Sequence, residues 1–466
     1  MTESPAAPRV PDAETAASRL GDAAARLDPR IGAMARALAA TGGRTLVVGG
    51  WVRDVVLGRA PGDVDLEIHG LDRAQVSAVI GVHQVVREVG RHFPVLRRAD
   101  LDVDIGVVSP DASSADTGRA IEVAARRRDL TVNALAYDLG TGRLLDPLGG
   151  LDDLRTGRLR AADPRTFADD PLRVLRVARL AVALEATPTP ELETLCREVD
   201  PTDAAPERVL DEIERLLRAG ARPARGMAVL ERTGGLRVLP EVAALRGVPQ
   251  DPRWHPEGDV WIHTLLCLDA AAGLRTGAAD DRVLMLATLL HDIGKPPTTR
   301  REGDRVRATG HEIVGAEMVG ECLGRLRAPL AVSRAVTALV AHHLAPSQLA
   351  RADAGAGAYR RLVRRLAAAG TDPRMLERLA RADHLGRTTD DARRGRYPEG
   401  AAFLAATARA GVLERPRPDA VLGRHLLARG LSPGPHLGPI LARCRALQDD
   451  TGLDDPQVIL DRVLAD

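Results

Sequence analysis

The sequence predicts an α/β domain followed by a long helical region. Residues 44–147 alternate short runs of β-branched residues with amphipathic stretches, which is typical of strands packed with helices. Beyond residue 150 the strand pattern stops, and helical segments follow one another with Pro-containing breaks between them. The length of 466 residues is enough for roughly three domains.

The same patterns divide the chain into five parts. The first, residues 1–25, is rich in Ala, Pro and acidic residues, and we expect it to be disordered. The others are an α/β head with a small mixed sheet (26–150), an all-α neck (151–250), a helical domain with a second group of candidate metal ligands (251–390) and a C-terminal helical region (391–466).

Composition excludes several kinds of partner. Charges nearly balance at a formal net charge of +1, so any contact with nucleic acid must come from local patches. Trp, Tyr and Phe occur three times each, which argues against recognition by rows of stacked aromatics. The four cysteines form no metal-type pair, and no apolar run reaches the length of a membrane span. We therefore expect a cytoplasmic protein with no membrane partner.

The first motif combines two glycines with two aspartates. Asp63 and Asp65 begin the alternating stretch DVDLEIH, which predicts a β-strand. Side chains two residues apart on a strand point to the same face, so both carboxylates can hold one hard divalent cation. Gly49 and Gly50 can bring backbone N–H groups close to a phosphate. Paired carboxylates beside a phosphate cradle are what metal-assisted nucleotidyl transfer requires.

Two further features belong to this motif. Arg53 and Asp54 are either a local ion pair or an arginine at a triphosphate oxygen braced by the aspartate. A third carboxylate is expected on an adjacent strand, because a general base or a second metal needs one more oxygen. The stretch LDVDIGVV offers Asp102 and Asp104, and Asp104 is preferred because it directly precedes the apolar part of the strand.

A basic segment, RRRDLTVNALAYD, follows at residues 126–138. Arg128 and Asp129 lead into Asn133, a polar residue in an apolar strand or helix start that is costly to bury without hydrogen bonds. A ribose hydroxyl, a phosphate oxygen or a backbone turn can satisfy it. The segment is therefore a candidate nucleotide pocket.

The segment ADDPLRVLRVARL begins a helix, with acidic residues at the cap and Pro171 in the first turn. Asp170 and Arg173 are three residues apart and share a helix face, either as a local ion pair or as a reader of bases. The Asp carboxylate accepts and the Arg guanidinium donates, which matches the amino group and ring nitrogen of cytosine and adenine. Guanine and uracil present an acceptor and a donor in the opposite order and do not match. Arg176 and Arg179 continue the basic face towards phosphates.

A second candidate metal site lies farther along the chain. His263, the adjacent His291 and Asp292, and the distant Asp383 have the side-chain types of a divalent-metal site with oxygen and nitrogen ligands. His291 and Asp292 follow the apolar run MLATLL, so they are predicted at the end of a buried helix.

The motifs occur in a recognisable order. GGWVRDVVLGRAPGDVDLEI, RRRDLTVNALA, ADDPLRVLRVARL and PERVLDEI resemble, in sequence and order, those of bacterial tRNA nucleotidyltransferases (CCA-adding enzymes) and the related poly(A) polymerases. The resemblance covers nearly everything from about residue 44 onward and implies a class II enzyme that adds CCA to tRNA from CTP and ATP. One departure is Asp169, where the family usually has Glu.

The resemblance also implies roles for the residues named above. It implies Mg²⁺ on Asp63 and Asp65 in the head, and an amino-acid template for CTP and ATP formed by Asp170 and Arg173. The residues that it implies for the ribose and triphosphate are Arg128, Asp129 and Asn133.

The segment LMLATLLHDIGKP resembles the HD phosphohydrolase domain, in which a metal activates water to attack a phosphoester. HD domains accompany one branch of CCA-adding enzymes, with 2′,3′-cyclic phosphodiesterase and phosphatase activity. On this interpretation Lys295 binds a substrate phosphate, and His311 is a further ligand or a substrate contact. The site takes Mg²⁺ or a divalent transition metal.

Other functions fit parts of the pattern. Within the family, the enzyme can instead add only C, only A, or poly(A). From another class, the chain is an HD phosphohydrolase whose head binds RNA, although such a head has no use for intact carboxylates and the Asp170/Arg173 pair. A degenerate HD fold kept for tRNA docking is the alternative to HD hydrolysis.

Overall fold

The structure is a computed structural model. It describes residues 10–80, 86–89, 95–98, 100–101, 103–108 and 117–465. Asp102, one of the two candidates for the third carboxylate, lies outside the described residues.

The chain divides into two compact units. The first comprises residues 1–203 and 232–235, and the second comprises residues 204–231 and 236–466. The predicted neck, residues 151–250, is thus shared between the units, and the five-part division stays a prediction.

A mixed sheet forms the base of the first unit. Its strands are β1 (Arg44–Val48), β2 (Asp65–His69), β3 (Val86–Val89), β4 (Val95–Arg98), β5 (Val103–Val108), β6 (Ala136–Asp138) and β7 (Arg143–Leu145). Over the described residues these seven strands lie in the order β3-β4-β5-β2-β1-β6-β7. β2 runs parallel to β5, and the other neighbouring pairs are antiparallel.

Helices cover the sheet and extend the first unit. They are α1 (Ala13–Ala24), α2 (Pro29–Ala40), α3 (Gly50–Val56), α4 (Arg73–Ile80), α5 (Thr117–Arg126), α6 (Gly150–Thr156), α7 (Arg173–Ala183) and α8 (Pro190–Glu198). Short 3₁₀ helices lie at Thr131–Asn133, Pro164–Asp169 and Pro201–Asp203. Two short strands, β8 (Arg158–Leu159) and β9 (Thr187–Pro188), pair in parallel.

The expected disorder of the first 25 residues is wrong for α1. Asp12 caps this helix by accepting a hydrogen bond from the Thr15 backbone N–H at 2.7 Å. Ala16 and Leu20, four residues apart on one face, are fully buried in the core of the unit. An apolar stripe made largely of alanine is a weak pattern, and this is why the sequence did not reveal it.

Sheet alternation places the polar residues of interest. Leu66, Ile68 and Ile105 are buried in the main core on one face of β2 and β5. Their neighbours in sequence, Asp65 and Asp104, therefore point to the opposite face.

The second unit is helical. Its helices are α9 (Pro206–Arg218), α10 (Pro223–Arg232), α11 (Pro240–Ala243), α12 (Val260–Ala272), α13 (Asp281–Leu290), α14 (Lys295–Thr298), α15 (His311–Arg325), α16 (Leu330–His342), α17 (Ala345–Arg351), α18 (Ala356–Ala368), α19 (Pro373–Gly386), α20 (Asp390–Arg393), α21 (Pro398–Arg409), α22 (Gly423–Ala428), α23 (Leu437–Thr451) and α24 (Pro456–Ala465). A 3₁₀ helix spans Gly235–Val238. Across the described residues, none of the helices combines the length and apolarity that a membrane crossing needs.

The predicted order of an α/β head followed by helical regions is confirmed, with one difference in detail. A hairpin, β10 (Arg300–Glu302) and β11 (Arg305–Arg307), interrupts the helices. Gly303, with φ +60°, and Asp304 form its two-residue turn. Because both strands are short and largely exposed, they leave no apolar alternation in the sequence.

Candidate functional sites

Two carboxylates meet on neighbouring strands of the head. In the parallel pairing of β2 with β5, Asp65 lies opposite Asp104. Residues that are paired in register carry their side chains on the same face of the sheet. The structure therefore brings together the second aspartate of the DVD motif and the preferred candidate for the third carboxylate.

The position of Asp63 differs from the prediction. β2 begins at Asp65, and Asp63 lies in a bend before the strand, so strand alternation does not determine where its side chain points. Even so, the negative charge of Asp63 contributes to raising the pKa of Asp65, so the two carboxylates interact electrostatically.

Like charges crowd around Asp65. Burial raises the pKa of this carboxyl group, and Asp104, Asp63 and Glu67 raise it further, against the opposing charge of Arg128. A divalent cation among these carboxylates reverses this balance, because its charge favours the ionised form of every neighbour. The chemistry of the donor set, all carboxylate oxygen, fits the Mg²⁺ that the sequence predicts.

Glu67 is a polar residue of this face that the sequence interpretation missed. It accepts an ion-paired hydrogen bond from Arg128. Although burial opposes ionisation, His69 and Arg128 lower the pKa of Glu67 to about 2. Its position two residues after Asp65 was the signal, because alternation puts both on one face.

Gly49 allows the close approach of these groups. Its φ of +77° lies in the left-handed region that side chains disfavour. A Cβ at this position would lie 3.4 Å from Arg128 Nη1 and 3.6 Å from Asp65 Oδ2. Gly50 follows as the first residue of α3. The glycine pair thus passes directly beside the carboxylates.

A chain of side-chain hydrogen bonds and one ion pair joins α3 to α7. Arg53 donates to both carboxylate oxygens of Asp54 at 2.9 Å and to Asn133 Oδ1 at 2.5 Å. Asn133 Nδ2 donates to Asp129 Oδ1 at 2.8 Å, and Arg176 Nη1 lies 3.7 Å from Asp129 Oδ2. Asn133 is therefore satisfied by side chains within the protein.

Asp129 is ionised within this chain. Burial opposes its charge, but Arg176, the hydrogen bond from Asn133 and the more distant Arg179 outweigh burial and lower its pKa. The structure thus brings together five of the predicted nucleotide contacts, namely Arg53, Asp129, Asn133, Arg176 and Arg179.

The predicted base reader is arranged differently from the sequence interpretation. α7 begins at Arg173, and Asp170 precedes it in an extended conformation, so the two do not share a helix face. Asp170 Oδ1 accepts from the Leu172 backbone N–H at 3.2 Å. The Arg173 guanidinium donates to the carbonyl oxygens of Thr166 and Arg127. Pro171 disfavours the helical conformation for the residue before it, which is consistent with the extended backbone of Asp170.

In the second unit, helix ends deliver the predicted metal-site residues. His263 lies in the first turn of α12, and His291 is the C-cap of α13, directly before Asp292. His311 begins α15, and Asp383 lies in the last turn of α19. The predicted place of His291 at the end of a buried helix is confirmed.

Backbone carbonyls set the tautomers of three histidines. The Nδ1 atoms of His291, His311 and His343 lie 2.7 Å from the carbonyl oxygens of the residues three positions earlier. Because a carbonyl only accepts, each Nδ1 carries a proton and donates it. This arrangement leaves Nε2 as the metal-binding nitrogen, as is usual for histidine ligands.

The Nε2 atoms converge on Asp292. His291 Nε2 lies 3.2 Å from Asp292 Oδ2, and His311 Nε2 lies 3.3 Å from Asp292 Oδ1. His311 Nε2 is also 3.3 Å from His343 Nε2. Burial lowers the pKa of His343 to about 3, so its ring is neutral. Imidazole nitrogens gathered around a carboxylate are the ligand types of a divalent-metal site, and the residues therefore fit a divalent metal.

Among the described residues, the potential ligands form three groups, two of which share His263. The groups are His263, Cys267, His291 and Asp383; Asp292, His311 and His343; and His255, Glu257 and His263, with the ligand atoms of each group within 4.8 Å of one another. His263 Nε2 lies 3.1 Å from Asp383 Oδ1 and 3.9 Å from Asp292 Oδ2. Asp292 thus lies between the group that contains His291 and the group that contains His311, and it can be a ligand in both.

Several members of these groups were missed by the sequence interpretation. Cys267 Sγ lies 3.3 Å from His263 Nε2, and Glu257 Oε1 lies 2.8 Å from His263 Nδ1. Spacing was the signal for Cys267, which is one helical turn beyond His263. His343 carried no helical or strand relation to the HD motif, so only the packing of α15 against α16 reveals it.

Lys295 and Arg387 border the carboxylates. Lys295 Nζ lies 2.7 Å from Asp292 Oδ2 and donates to Gln250 Oε1 at 2.8 Å. Arg387 Nη2 lies 3.2 Å from both oxygens of Asp383. These cations line a cavity of about 290 Å³ that also reaches His311 and His343.

Close packing explains why the HDIGK segment has a glycine, Gly294, before its lysine. A Cβ on Gly294 would come within 2.1 Å of the His311 carbonyl oxygen and 2.5 Å of the Gly315 backbone nitrogen. Any side chain here would push α15 away and separate His311 from Asp292.

His343 offers a direct test of metal binding. We expect Mn²⁺ at about 100 times its dissociation constant to stabilise the chelator-treated protein by about 2.7 kcal/mol. For a unit of this size this is a rise in Tm of roughly 5–10 °C. His343→Ala should lose at least half of that rise, because it removes one Nε2 ligand. His342→Ala, which changes the adjacent histidine outside the ligand groups, should keep it. Equal rises in both variants, measured by calorimetry, would contradict the assignment.

Two family models match the chain. The Poly A polymerase head domain matches residues 45–160, and the HD domain matches residues 260–387. A multifunctional CCA protein from Xanthomonas oryzae pv. oryzae is 33% identical over 429 residues, which cover 86% of this chain and 96% of that protein. Another from Halorhodospira halophila is 38% identical over 304 residues, covering 61% of this chain and 69% of that protein.

Solved structures share the fold. The Thermotoga maritima CCA-adding enzyme complexed with tRNA_CCA has a TM-score of 0.59 at 17% identity, with 98% of both chains covered. The Bacillus stearothermophilus CCA-adding enzyme in complex with CTP has a TM-score of 0.62 at 21% identity, covering 93% of this chain and 96% of that one. The 33% identity to a multifunctional CCA protein, over 86% of this chain, confirms the resemblance. The chain belongs to the multifunctional CCA protein family.

Proposed function

We propose that this protein adds C, C and A to the 3′ end of tRNA from CTP and ATP without a nucleic-acid template. The observation that carries the proposal is the pairing of Asp65 with Asp104 in register, beside Asp63, in a chain of the multifunctional CCA protein family. Structures of the same fold have been solved with tRNA, CTP and ATP, which supports these partners. The cytoplasm, where tRNA and nucleotides meet, is the proposed location.

The chemistry is an in-line displacement at phosphorus. The 3′-hydroxyl oxygen of the tRNA attacks the α-phosphate, a new P–O bond forms, and the bond to pyrophosphate breaks. Asp63 and Asp65 would hold Mg²⁺, which when bound neutralises charge on the triphosphate and on the attacking oxygen. Asp104, beside Asp65, is positioned to take the hydroxyl proton.

The arginines of the head bind the triphosphate in this proposal. Arg53 is held in place by Asp54 and Asn133, and Arg128 is held by Glu67. Carboxylates that hold an arginine in place reduce the entropy lost when it grips a phosphate. Asp129 and Asn133 lie beside them and are proposed to meet the ribose, with Arg176 and Arg179 completing the positive field.

Nucleotide choice is assigned to Asp170 and Arg173. Arg173 has five N–H donors, so its hydrogen bonds to the carbonyls of Thr166 and Arg127 leave donors for a base. Those two bonds also hold the guanidinium in place. Asp170 supplies the acceptor for the amino group of cytosine or adenine, and both UTP and GTP present the wrong order of donor and acceptor.

The HD region is proposed to hydrolyse phosphoesters, including 2′,3′-cyclic phosphodiesters. His263, His291, Asp292 and Asp383 would hold a divalent metal, with His311 and His343 available for a second ion that shares Asp292. Such a metal, when bound, would supply a water molecule of lowered pKa for attack on phosphorus. Lys295 and Arg387, in the same cavity, are placed to bind the phosphate oxygens.

A set of truncated tRNA transcripts tests the main proposal. Transcripts that end before the first C, before the second C and before A are each incubated with one NTP. We expect C, C and then A to be added in order, and UTP and GTP to be refused, as resolved on sequencing gels. Long A tracts from ATP alone would indicate a poly(A) polymerase, and addition of a single kind of nucleotide would indicate a partial enzyme. Failure to incorporate any nucleotide would favour an HD phosphohydrolase with an RNA-binding head.

A further inference from the structure

We propose that Trp254 is a stacking platform for a nucleobase at the mouth of the HD cavity, so that the HD site selects nucleotide phosphoesters over phosphoesters that lack a base. The inference rests on the proposed hydrolytic function of the HD region and adds to it a residue that determines specificity.

The exposure of Trp254 is exceptional in this protein. The side chain is 56% exposed. Each of the other aromatic residues that the structure describes is no more than 5% exposed, including Trp51 and Trp261. A large apolar ring left in water costs free energy unless something covers it, and in a chain with so few aromatics this position needs a reason.

The place of Trp254 indicates what covers it. Trp254 lines the same cavity as Asp292, Lys295 and the two histidines His311 and His343. The cavity therefore combines an aromatic side chain with metal ligands and cations in one lining. A nucleotide has the matching chemistry, with a flat base joined to a phosphate.

The loop that carries Trp254 is anchored to the metal ligands. The backbone N–H groups of Trp254 and His255 both donate to the Asp251 carbonyl oxygen at 3.0 Å. Glu257 Oε1 lies 2.9 Å from His255 Nδ1 and 2.8 Å from His263 Nδ1. A platform held in this way keeps a fixed distance from the site of hydrolysis, which is what selection by the base requires.

Further cations fit a charged ligand in the cavity. Arg307 and Arg351 line it together with Lys295 and Arg387. Phosphate oxygens of an RNA end can use several of these, whereas a small uncharged ligand can use none. Base stacking on an aromatic side chain tolerates every base, because each has a π face. The site should therefore favour nucleotides and prefer purines only slightly.

Two cyclic phosphates separate the role of the base from that of the phosphate. Adenosine 2′,3′-cyclic phosphate and glycerol 1,2-cyclic phosphate share the five-membered phosphodiester ring, and only the first has a base. With the Mn²⁺-loaded full chain, Trp254→Ala should raise KM for the adenosine compound about tenfold and leave kcat unchanged. Hydrolysis of the glycerol compound should not change. Trp254→Phe should return KM to near the wild-type value. Leu330→Ala, which changes an even more exposed apolar residue outside the cavity lining, should behave as wild type.

The outcomes are distinguishable. Equal loss on both substrates, or no loss on either, would overturn the role of Trp254 while leaving HD hydrolysis intact. If the wild-type protein hydrolyses neither compound, the proposed HD activity is wrong. The stacking role of Trp254 is then tested by nucleotide binding alone. In that case adenosine 2′-phosphate, titrated by calorimetry with Mn²⁺ present, should bind about tenfold more weakly to Trp254→Ala. Equal affinities would overturn the stacking role.

Discussion

Replacing Asp65 by Asn is expected to abolish nucleotide addition and to leave HD hydrolysis unchanged. The variant removes a carboxylate oxygen from the group that Asp65 forms with Asp63 and Asp104. Metal neutralisation of the transferring phosphate supplies several kcal/mol, and loss of about 4 kcal/mol of it slows the reaction about a thousandfold. Incorporation of labelled CTP into truncated tRNA measures the effect, with hydrolysis of a cyclic phosphodiester assayed in the same preparation.

Loss of folding is not expected to explain that result. Burial and three neighbouring carboxylates raise the pKa of Asp65, so its charge is unfavourable in the metal-free fold. Removing the charge should leave Tm unchanged or raise it slightly in the presence of a chelator. Asp22→Asn, an exposed carboxylate on α1, serves as the control and should keep full incorporation. Incorporation that survives in a folded Asp65→Asn protein would show that the metal assignment is wrong.

Replacing His291 by Ala should have the reciprocal effect. His291 presents Nε2 to Asp292 at 3.2 Å, and Thr288 fixes its ring through Nδ1 at 2.7 Å. Loss of a ligand from a metal that activates water should lower hydrolysis of adenosine 2′,3′-cyclic phosphate on the order of a thousandfold. Incorporation of CTP and ATP should stay within about twofold of wild type, since His291 belongs to the second unit and the head carboxylates belong to the first.

The controls for this variant address structure and metal. His291 is fully buried, so its removal leaves a small cavity, and circular dichroism should verify that the helices persist. His342→Ala, which changes a half-buried histidine outside the ligand groups, should hydrolyse like wild type. Metal-dependent hydrolysis that survives in His291→Ala would contradict the assignment, and hydrolysis that fails in the wild type with Mg²⁺, Mn²⁺ and Ni²⁺ would leave tRNA docking as the role of the HD fold.

Local patterns in the sequence were sufficient where a residue's role depends on near neighbours. The DVDLEIH alternation predicted β2, and the run MLATLL predicted that His291 caps a buried helix. The same reasoning was wrong where an element begins two or three residues later than the pattern indicated. Asp63 lies before β2, and Asp170 lies before α7, because a strand or helix boundary cannot be located from periodicity alone.

Contacts between distant segments could not be predicted in this way. Glu67 holds Arg128 across 61 positions, and His311 meets His343 across 32. These pairs form because β2 packs near the end of α5, and α15 packs on α16. The sequence also could not predict the partners of Arg173, which are two backbone carbonyl oxygens. Every residue has such an oxygen, and only the fold determines which of them lie near the guanidinium.

The sequence by itself determined the chemistry of this protein, because metal binding and nucleotide recognition depend on residue types that the motifs display in order. It predicted an α/β head with aspartates for Mg²⁺ and a helical region with an HD motif. Tertiary structure alone decided which of these side chains meet. The pairing of Asp65 with Asp104 follows from the register of β2 and β5, and the inward-facing Nε2 atoms follow from carbonyls at helix ends. The exposure of Trp254 beside them depends on the packing of the whole second unit, which no local pattern records.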